Sequence, residues 1–351
     1  MTHDALSGSL VASAIGQARV RCRLAEGVPP RLVRDVLAPG RSVPRTAEAW
    51  RRRFAQAGLA GAALDRCLAS LARANVAAEL EHCRRTGSRI IAAEDADWPW
   101  MLRLDSDPPT ELWIAGSHPP AQPAVAIVGS RQPSEAGLAF ASDVARAVAN
   151  ANCLVVSGGA LGIDAAAHQA ALDAGGTTSI VLGSGIGRPS PTSNIPLFDA
   201  VRTAGHAIIS EWPTFAPPRP WRFPRRNRVI AGLSLAVVVV EAGPRSGSLI
   251  TARYASDLGR EVLVMPGPAD DPRVNGSHRL IREGATLVRN AQDVLEAIAT
   301  CGPLASAAAA LANPPGGDSG ASDSNRSQSP AGSRNQSRGC AALPPSPHQR
   351  D

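Results

Sequence analysis

The 351-residue chain contains no lysine: all 36 of its basic side chains are arginine. Schiff-base and lysine-general-base chemistry are therefore excluded. Aromatic residues make up 3% of the chain, with a single tyrosine. The six cysteines (Cys22, Cys67, Cys83, Cys153, Cys301 and Cys340) include no C-x-x-C pair, which argues against a zinc site. Their scatter, with no signal-peptide pattern at the N-terminus, fits a reducing cytoplasm. No apolar run approaches the roughly eighteen residues of a membrane span. Thirty acidic groups leave a net charge of +6, too small an excess to prove nucleic-acid binding by itself.

What is present is organised around one stretch. Ala124 to Val128 is apolar throughout and runs into Gly129, Ser130 and Arg131. Residues 134–150 then carry apolar side chains at helical spacing. A short all-apolar run bounded by a turn suits a strand buried on both faces. The helix after it begins with unpaired N–H groups and a dipole that favour an anion, and Arg131 places a forked cation beside them.

From there strands and helices alternate. Expected strands are 124–128, 153–157, 177–182, 207–210, 235–240, 261–265 and 286–288. Expected helices are 134–150, 163–174, 195–204, 225–231, 249–258 and 277–282. The pattern predicts an α/β fold with a doubly wound, mostly parallel sheet. Ligands of such sheets sit outside the carboxyl ends of the strands. Before it, residues 1–86 read as a small helical domain of helix-hairpin-helix or sterile-alpha-motif character. Its helices are expected at 10–24, 31–37, 46–56 and 64–86, and it reads as a structural cap rather than a second DNA or partner surface. Residues 87–123 read as a connector with short strands, 124–301 as the main domain, and 302–351 as a disordered tail too poor in large apolar residues to fold.

The loops after the strands carry the chemistry. Ser157, Gly158 and Gly159 lead through Gly162 to Asp164 and His168, where glycines let backbone approach a ligand and Asp164 pairs structurally with His168. Neither this loop nor Gly183-x-Gly185-x-Gly187 has dinucleotide-fingerprint spacing, so no nicotinamide or flavin cofactor is expected. Arg219, Arg222, Arg225, Arg226 and Arg228 crowd into ten residues, with Trp221 and Phe223 interleaved. Guanidiniums beside aromatics suit single-stranded nucleic acid, by phosphate pairing and base stacking. Ser246, Ser248 and Thr251 supply hydroxyls at another helix start.

Taken together, these motifs resemble the DNA-processing protein A family (DprA, also Smf) over roughly residues 88–298. The carriers are Gly129-Ser130-Arg131, Ser157-Gly158-Gly159 with Gly162 and Asp164, Phe223-Pro224-x-Arg226-Asn227-Arg228, Glu241-Ala242, Ser246-Gly247-Ser248 with Thr251, Pro266-Gly267 and Asn275-Gly276. The resemblance implies an extended Rossmann-like domain that binds single-stranded DNA without hydrolysing it, protects incoming DNA in natural transformation, loads a RecA-type recombinase and forms a homodimer. It implies DNA contacts at Gly129, Ser130, Arg131, Ser157, Gly158, Gly159, Phe223, Arg225, Arg226, Asn227, Arg228, Ser246 and Ser248. Where the family often has Tyr-Pro-Lys-x-Asn, this chain has Ser190-Pro191-Thr192-Ser193-Asn194, so a basic contact is lost at Thr192; Arg188 is the candidate substitute. Many members end in a winged-helix-like domain, and the tail here is expected to lack one. The competing reading is an enzyme, a nucleoside-monophosphate phosphoribohydrolase of the lysine-decarboxylase-like fold. That fold calls for Pro-Gly-Gly-x-Gly-Thr-x-x-Glu, and the loop from Ser157 to Asp164 lacks its glutamate.

Overall fold

Alternation of side chains along each strand decides which helix covers which face of the sheet. The computed structural model describes residues 13–38, 40–105, 107–117 and 122–301. The expected tail and its missing winged helix, the first residues of the helix expected from Leu10, Pro39 and residues 118–121 lie outside the described residues.

Nine strands form one sheet: β1 (Arg89–Ala92), β2 (Glu111–Ala115), β3 (Ala124–Gly129), β4 (Leu154–Ser157), β5 (Thr178–Leu182), β6 (Ala207–Ser210), β7 (Ala236–Val240), β8 (Glu261–Val264) and β9 (Thr286–Leu287). Their order is β1-β2-β6-β5-β4-β3-β7-β8-β9. From β6 to β9 every pairing is parallel, whereas β1 with β2 and β2 with β6 are antiparallel. The segment read as a connector thus supplies two strands at one edge of the same sheet. The chain builds outward from β3 to β6, then returns to the other side of β3 with β7. The crevice between β3 and β7 is a topological switch point.

Helices α6 (Glu135–Asn150), α7 (Ile163–Asp173) and α12 (Ala291–Thr300) cover one face, packing on Val125, Ile127, Val155, Val238 and Val240. Helices α9 (Arg222–Leu233) and α10 (Ser248–Asp257) cover the other, on Ala126, Val128, Val156, Val237 and Val239. The central strands β3, β4 and β7 therefore bury both faces, which is why their sequences are nearly continuous apolar runs. Helix α8 (Ile195–Thr203) seats Phe198 against Ile180 and Ile208, and α11 (Asn275–Arg282) precedes β9.

The N-terminal helices are α1 (Ala14–Leu24), α2 (Pro30–Val36), α3 (Ala47–Gln56), α4 (Gly61–Arg73) and α5 (Val76–Thr86). The single helix expected over 64–86 is two. Asn75 breaks it, because its side-chain oxygen accepts from the Ala78 amide (2.9 Å) and caps a fresh helix. Trp50, Phe54, Leu64 and Leu71 make the bundle's core.

A buried ionic network ties this bundle to the sheet. Glu211, directly after β6 and 2% exposed, accepts from Arg228 at 2.5 Å and Arg225 at 3.3 Å, with Arg23 of α1 at 3.6 Å. Arg23 also donates to the Glu211 backbone carbonyl. Burial, reinforced by the charges of Arg225 and Arg228, lowers the pKa of Arg23; Glu211 and Glu111 oppose that. Removing the shared carboxylate takes the nearest negative charge from three guanidiniums, so Glu211→Gln is expected to cost about 3–5 kcal/mol in chemical denaturation. A loss below about 1 kcal/mol contradicts the network's role.

His168 faces Thr178, not Asp164: its Nδ1 lies 2.7 Å from the Thr178 hydroxyl, while Asp164 turns to the β4 loop. The expected Asp–His pair is thus not formed, because the loop amides reach the carboxylate first. Burial, with the charge of Arg226 adding, pushes His168 down to about 3. The unfolded chain takes up a proton near pH 6.5 that the native state refuses. Stability is then full above that pH and lost as pH falls toward 3, by about 1.4 kcal/mol per unit. Denaturation of His168→Gln between pH 6 and 4 is expected to show that slope removed; parallel curves contradict it.

Candidate nucleic-acid interface

At the switch point the strand tips are laced together through backbone. The Ser130 amide donates to the Val240 carbonyl (3.1 Å), joining β3 to β7, and the Ile163 amide donates to the Ser130 carbonyl (3.1 Å), joining α7 to β3. Gly129 is required here: a Cβ would lie 2.0 Å from the Val240 oxygen. The loops above these tips enclose an open cleft of about 1040 Å³, lined among others by Ser130, Arg131, Phe223, Arg226, Arg245 and Ser248.

Arg226 forms the floor. It is 6% exposed, and its Nη1 donates to the Gly158 carbonyl (2.7 Å) and to the Val181 carbonyl at the β5 tip. Its Nε donates to the Asn227 side-chain oxygen (3.1 Å), and the Asn227 amide donates on to the Gly247 carbonyl (3.1 Å). One dipeptide of α9 thus spans the loop after β4, the end of β5 and the loop after β7. Burial lowers Arg226 to about 10, opposed by Asp164 and reinforced by the charge of Arg131. Burial likewise pushes the Asp164 carboxyl up, against the pull of Arg226.

The helix starts expected to receive an anion already hold one. Glu241, in the left-handed region at φ 53°, accepts from the Ser134 amide (2.8 Å) and the Ser134 hydroxyl at the start of α6. The Ser134 hydroxyl in turn accepts from the Gly137 amide (3.0 Å). At the other start, Asp164 accepts from the amides of Gly158 (3.1 Å) and Ala160 (3.3 Å). A carboxylate therefore stands near each helix start, capping through Ser134 in α6 and lying in the first turn of α7.

The structure brings Gly129, Ser130, Arg131, Phe223, Arg226, Asn227, Ser246 and Ser248 to the cleft. The other expected residues fall elsewhere. Ser157 is fully buried and donates to the Ile127 carbonyl (2.6 Å). Gly158 and Gly159 make room for protein: a Cβ on Gly158 would sit 2.6 Å from the Arg226 guanidinium, and one on Gly159 would sit 2.6 Å from Phe198. Arg225 and Arg228 are drawn to Glu211. The arginine run is thereby divided by helical geometry, one part under the cleft and one part in the network around Glu211. Arg188 and Thr192 are exposed on the β5 loop, outside the cleft lining. From that loop Asn194 reaches across, donating to the carbonyls of Gly159 (3.0 Å) and Ala160 (3.1 Å).

One lining cation was missed. Arg245 follows β7 as Arg131 follows β3, and both are exposed without an ion pair among the described residues. It stands alone in sequence, so a search for basic clusters passes over it; its signal was its place after a central strand. Leu161 and Ile250 add exposed apolar surface to the lining.

Several known proteins are similar to this chain. Residues 89–299 match the family model for DNA recombination-mediator protein A. Protein Smf of Escherichia coli K12 is 38% identical over 228 residues, covering 65% of this chain and 61% of that protein. The chain thus spans under two thirds of the length of that relative. The X-ray structure of DNA processing protein A from Streptococcus pneumoniae is similar at a TM-score of 0.68 and 32% identity, covering 80% of this chain and 96% of that one. DNA processing protein A from Helicobacter pylori, whose structure is described for its single-stranded DNA binding mode, is similar at a TM-score of 0.54 and 25% identity, covering 61% and 96%. A match over the whole doubly wound sheet and its strand-tip loops places the chain in a family: it belongs to the DNA recombination-mediator protein A (DprA/Smf) family.

Proposed function

We propose that this protein binds single-stranded DNA in the β3–β7 cleft, protects it, and passes it to a RecA-type recombinase in the cytoplasm, without hydrolysing it. The observation that carries the reading is a pair of exposed guanidiniums, Arg131 and Arg245, with no ion pair among the described residues, on loops that flank one cleft. A sugar-phosphate chain has anionic groups at regular spacing, and arginine pairs with them in forked geometry. The half-buried ring of Phe223, which closes over Gly183, offers a face for a base. A homodimer would lengthen the footprint beyond one cleft.

The phosphoribohydrolase reading needs a free carboxylate in the cleft. Glu241 gives both oxygens to Ser134, and Asp164 is engaged by two loop amides. No base release is expected when the protein is incubated with nucleoside monophosphates, and saturable release would favour the enzyme.

Arg131→Ala is expected to weaken oligo-dT and mixed-sequence oligonucleotides alike. It should also flatten the salt dependence of binding by about 0.7 in log–log slope, one single-strand phosphate. Arg245→Ala is expected to do the same, and Arg188→Ala neither. All three side chains are exposed, so melting temperatures should be unchanged. Unaltered affinity in both Arg131→Ala and Arg245→Ala removes the cleft from the interaction.

A further inference from the structure

A second groove, of about 920 Å³, lies between helices α1 and α4 and the segment that follows β6. We infer that it takes unstacked bases of the same single strand as that strand leaves the cleft, with Trp221 as the stacking platform. The inference rests on the single-strand reading above.

The groove presents two aromatic faces, each backed by a ring partner. Trp221 is 54% exposed and stands edge-on to Trp212, with centroids 5.1 Å apart and planes at 88°. The Arg222 guanidinium lies 4.5 Å from the Trp212 centroid and 5.3 Å from that of Trp221. Phe215, 55% exposed, is backed by His82 at 4.7 Å. Large aromatics held rigidly in the open are costly to hydrate and suit a flat π-face ligand.

The charge around them is positive and poorly neutralised. Arg66 and Arg73, on α4 across the groove, are exposed and have no ion pair among the described residues. Arg219 pairs with the exposed Glu26 at 3.2 Å. Burial lowers the Arg222 pKa, and the charges of Arg219 and Arg23 lower it further. The other carboxylate of the lining, Glu79, is buried and accepts from Trp113 (2.8 Å) and the Thr214 amide (2.7 Å). An acidic peptide would answer the guanidiniums but leave the two ring faces unused; a single strand answers both.

Continuity with the cleft comes from the ridge between them. In residues 219–224, Arg219, Trp221 and Arg222 face the groove, whereas Pro220, Phe223 and Pro224 face the cleft. A strand crossing that ridge passes from Phe223 to Trp221. The helical bundle, read from sequence as a structural cap, then forms one wall of a nucleic-acid path.

The test is fluorescence anisotropy of the full chain with dT6, short enough for the cleft alone, and dT20, long enough to cross the ridge. Trp221→Ala is expected to weaken dT20 about tenfold and leave dT6 within twofold, and Trp221→Phe to recover most of the loss. Arg66→Ala with Arg73→Ala, on the opposite wall, should show the same dependence on length with a flatter salt slope. Arg131→Ala should weaken both lengths. If neither groove variant weakens dT20 while Arg131→Ala still does, the groove is not on the path and the cleft reading stands. Equal loss for both lengths in Trp221→Ala overturns the groove as a separate subsite. If neither length binds in a salt-sensitive way, the cleft reading and this inference fall together.

Discussion

Arg226 sits under the strand tips with its charge received by two backbone carbonyls and the nearby field of Asp164. Leaving a guanidinium uncompensated in such a place would cost several kcal/mol, so the tips must stay where their carbonyls point inward. That requirement explains Gly158, whose missing Cβ is the space the guanidinium occupies. It explains Asn227 as well, which relays the contact to the β7 loop. The loop after β4, the end of β5 and the loop after β7 are thereby held by a single turn of α9. The cleft's floor exists before any ligand arrives, so little ordering cost falls on binding.

The electrostatic arrangement follows from the same principle. Glu241 and Asp164 place a carboxylate beside each of the two helix starts, which disfavours an isolated phosphate there. What remains for a ligand is a rim of exposed arginine over a satisfied floor. Such a rim holds a small anion weakly and an extended polyanion well, because each phosphate adds a contact and releases counterions. The path proposed across the ridge extends this logic, since each added base gains a ring face and each added phosphate another guanidinium.

Much of this was legible in the sequence. Buried parallel strands announce themselves as apolar runs, and β3, β6 and β7 lie within a residue of where the pattern put them. The family motifs named the loops that line the cleft. What the sequence hid was direction. Arg225, Arg226 and Arg228 look alike in a row, yet a helix turns each by about 100°, sending Arg226 to the cleft floor and Arg225 and Arg228 to Glu211. Ser157, Gly158 and Gly159 read as ligand loop because glycine permits close approach; the approaching groups turned out to be protein. The antiparallel placement of β1 and β2 was hidden for a related reason, since pairing partners far apart in sequence leave no local trace. Helix α12, an ordinary amphipathic segment beyond the last motif, was passed over because no motif drew attention to it.

The central claim is that one pre-built, arginine-rimmed hollow at the tips of β3, β4 and β7 holds the strand. Hydrogen exchange of backbone amides, with and without saturating oligo-dT, tests it most directly. Protection is predicted in residues 129–132, 160–162 and 243–248, with the floor around residues 226–233 already slow to exchange in the free protein. Protection confined to other surfaces, with these three loops exchanging as fast as before, would contradict it.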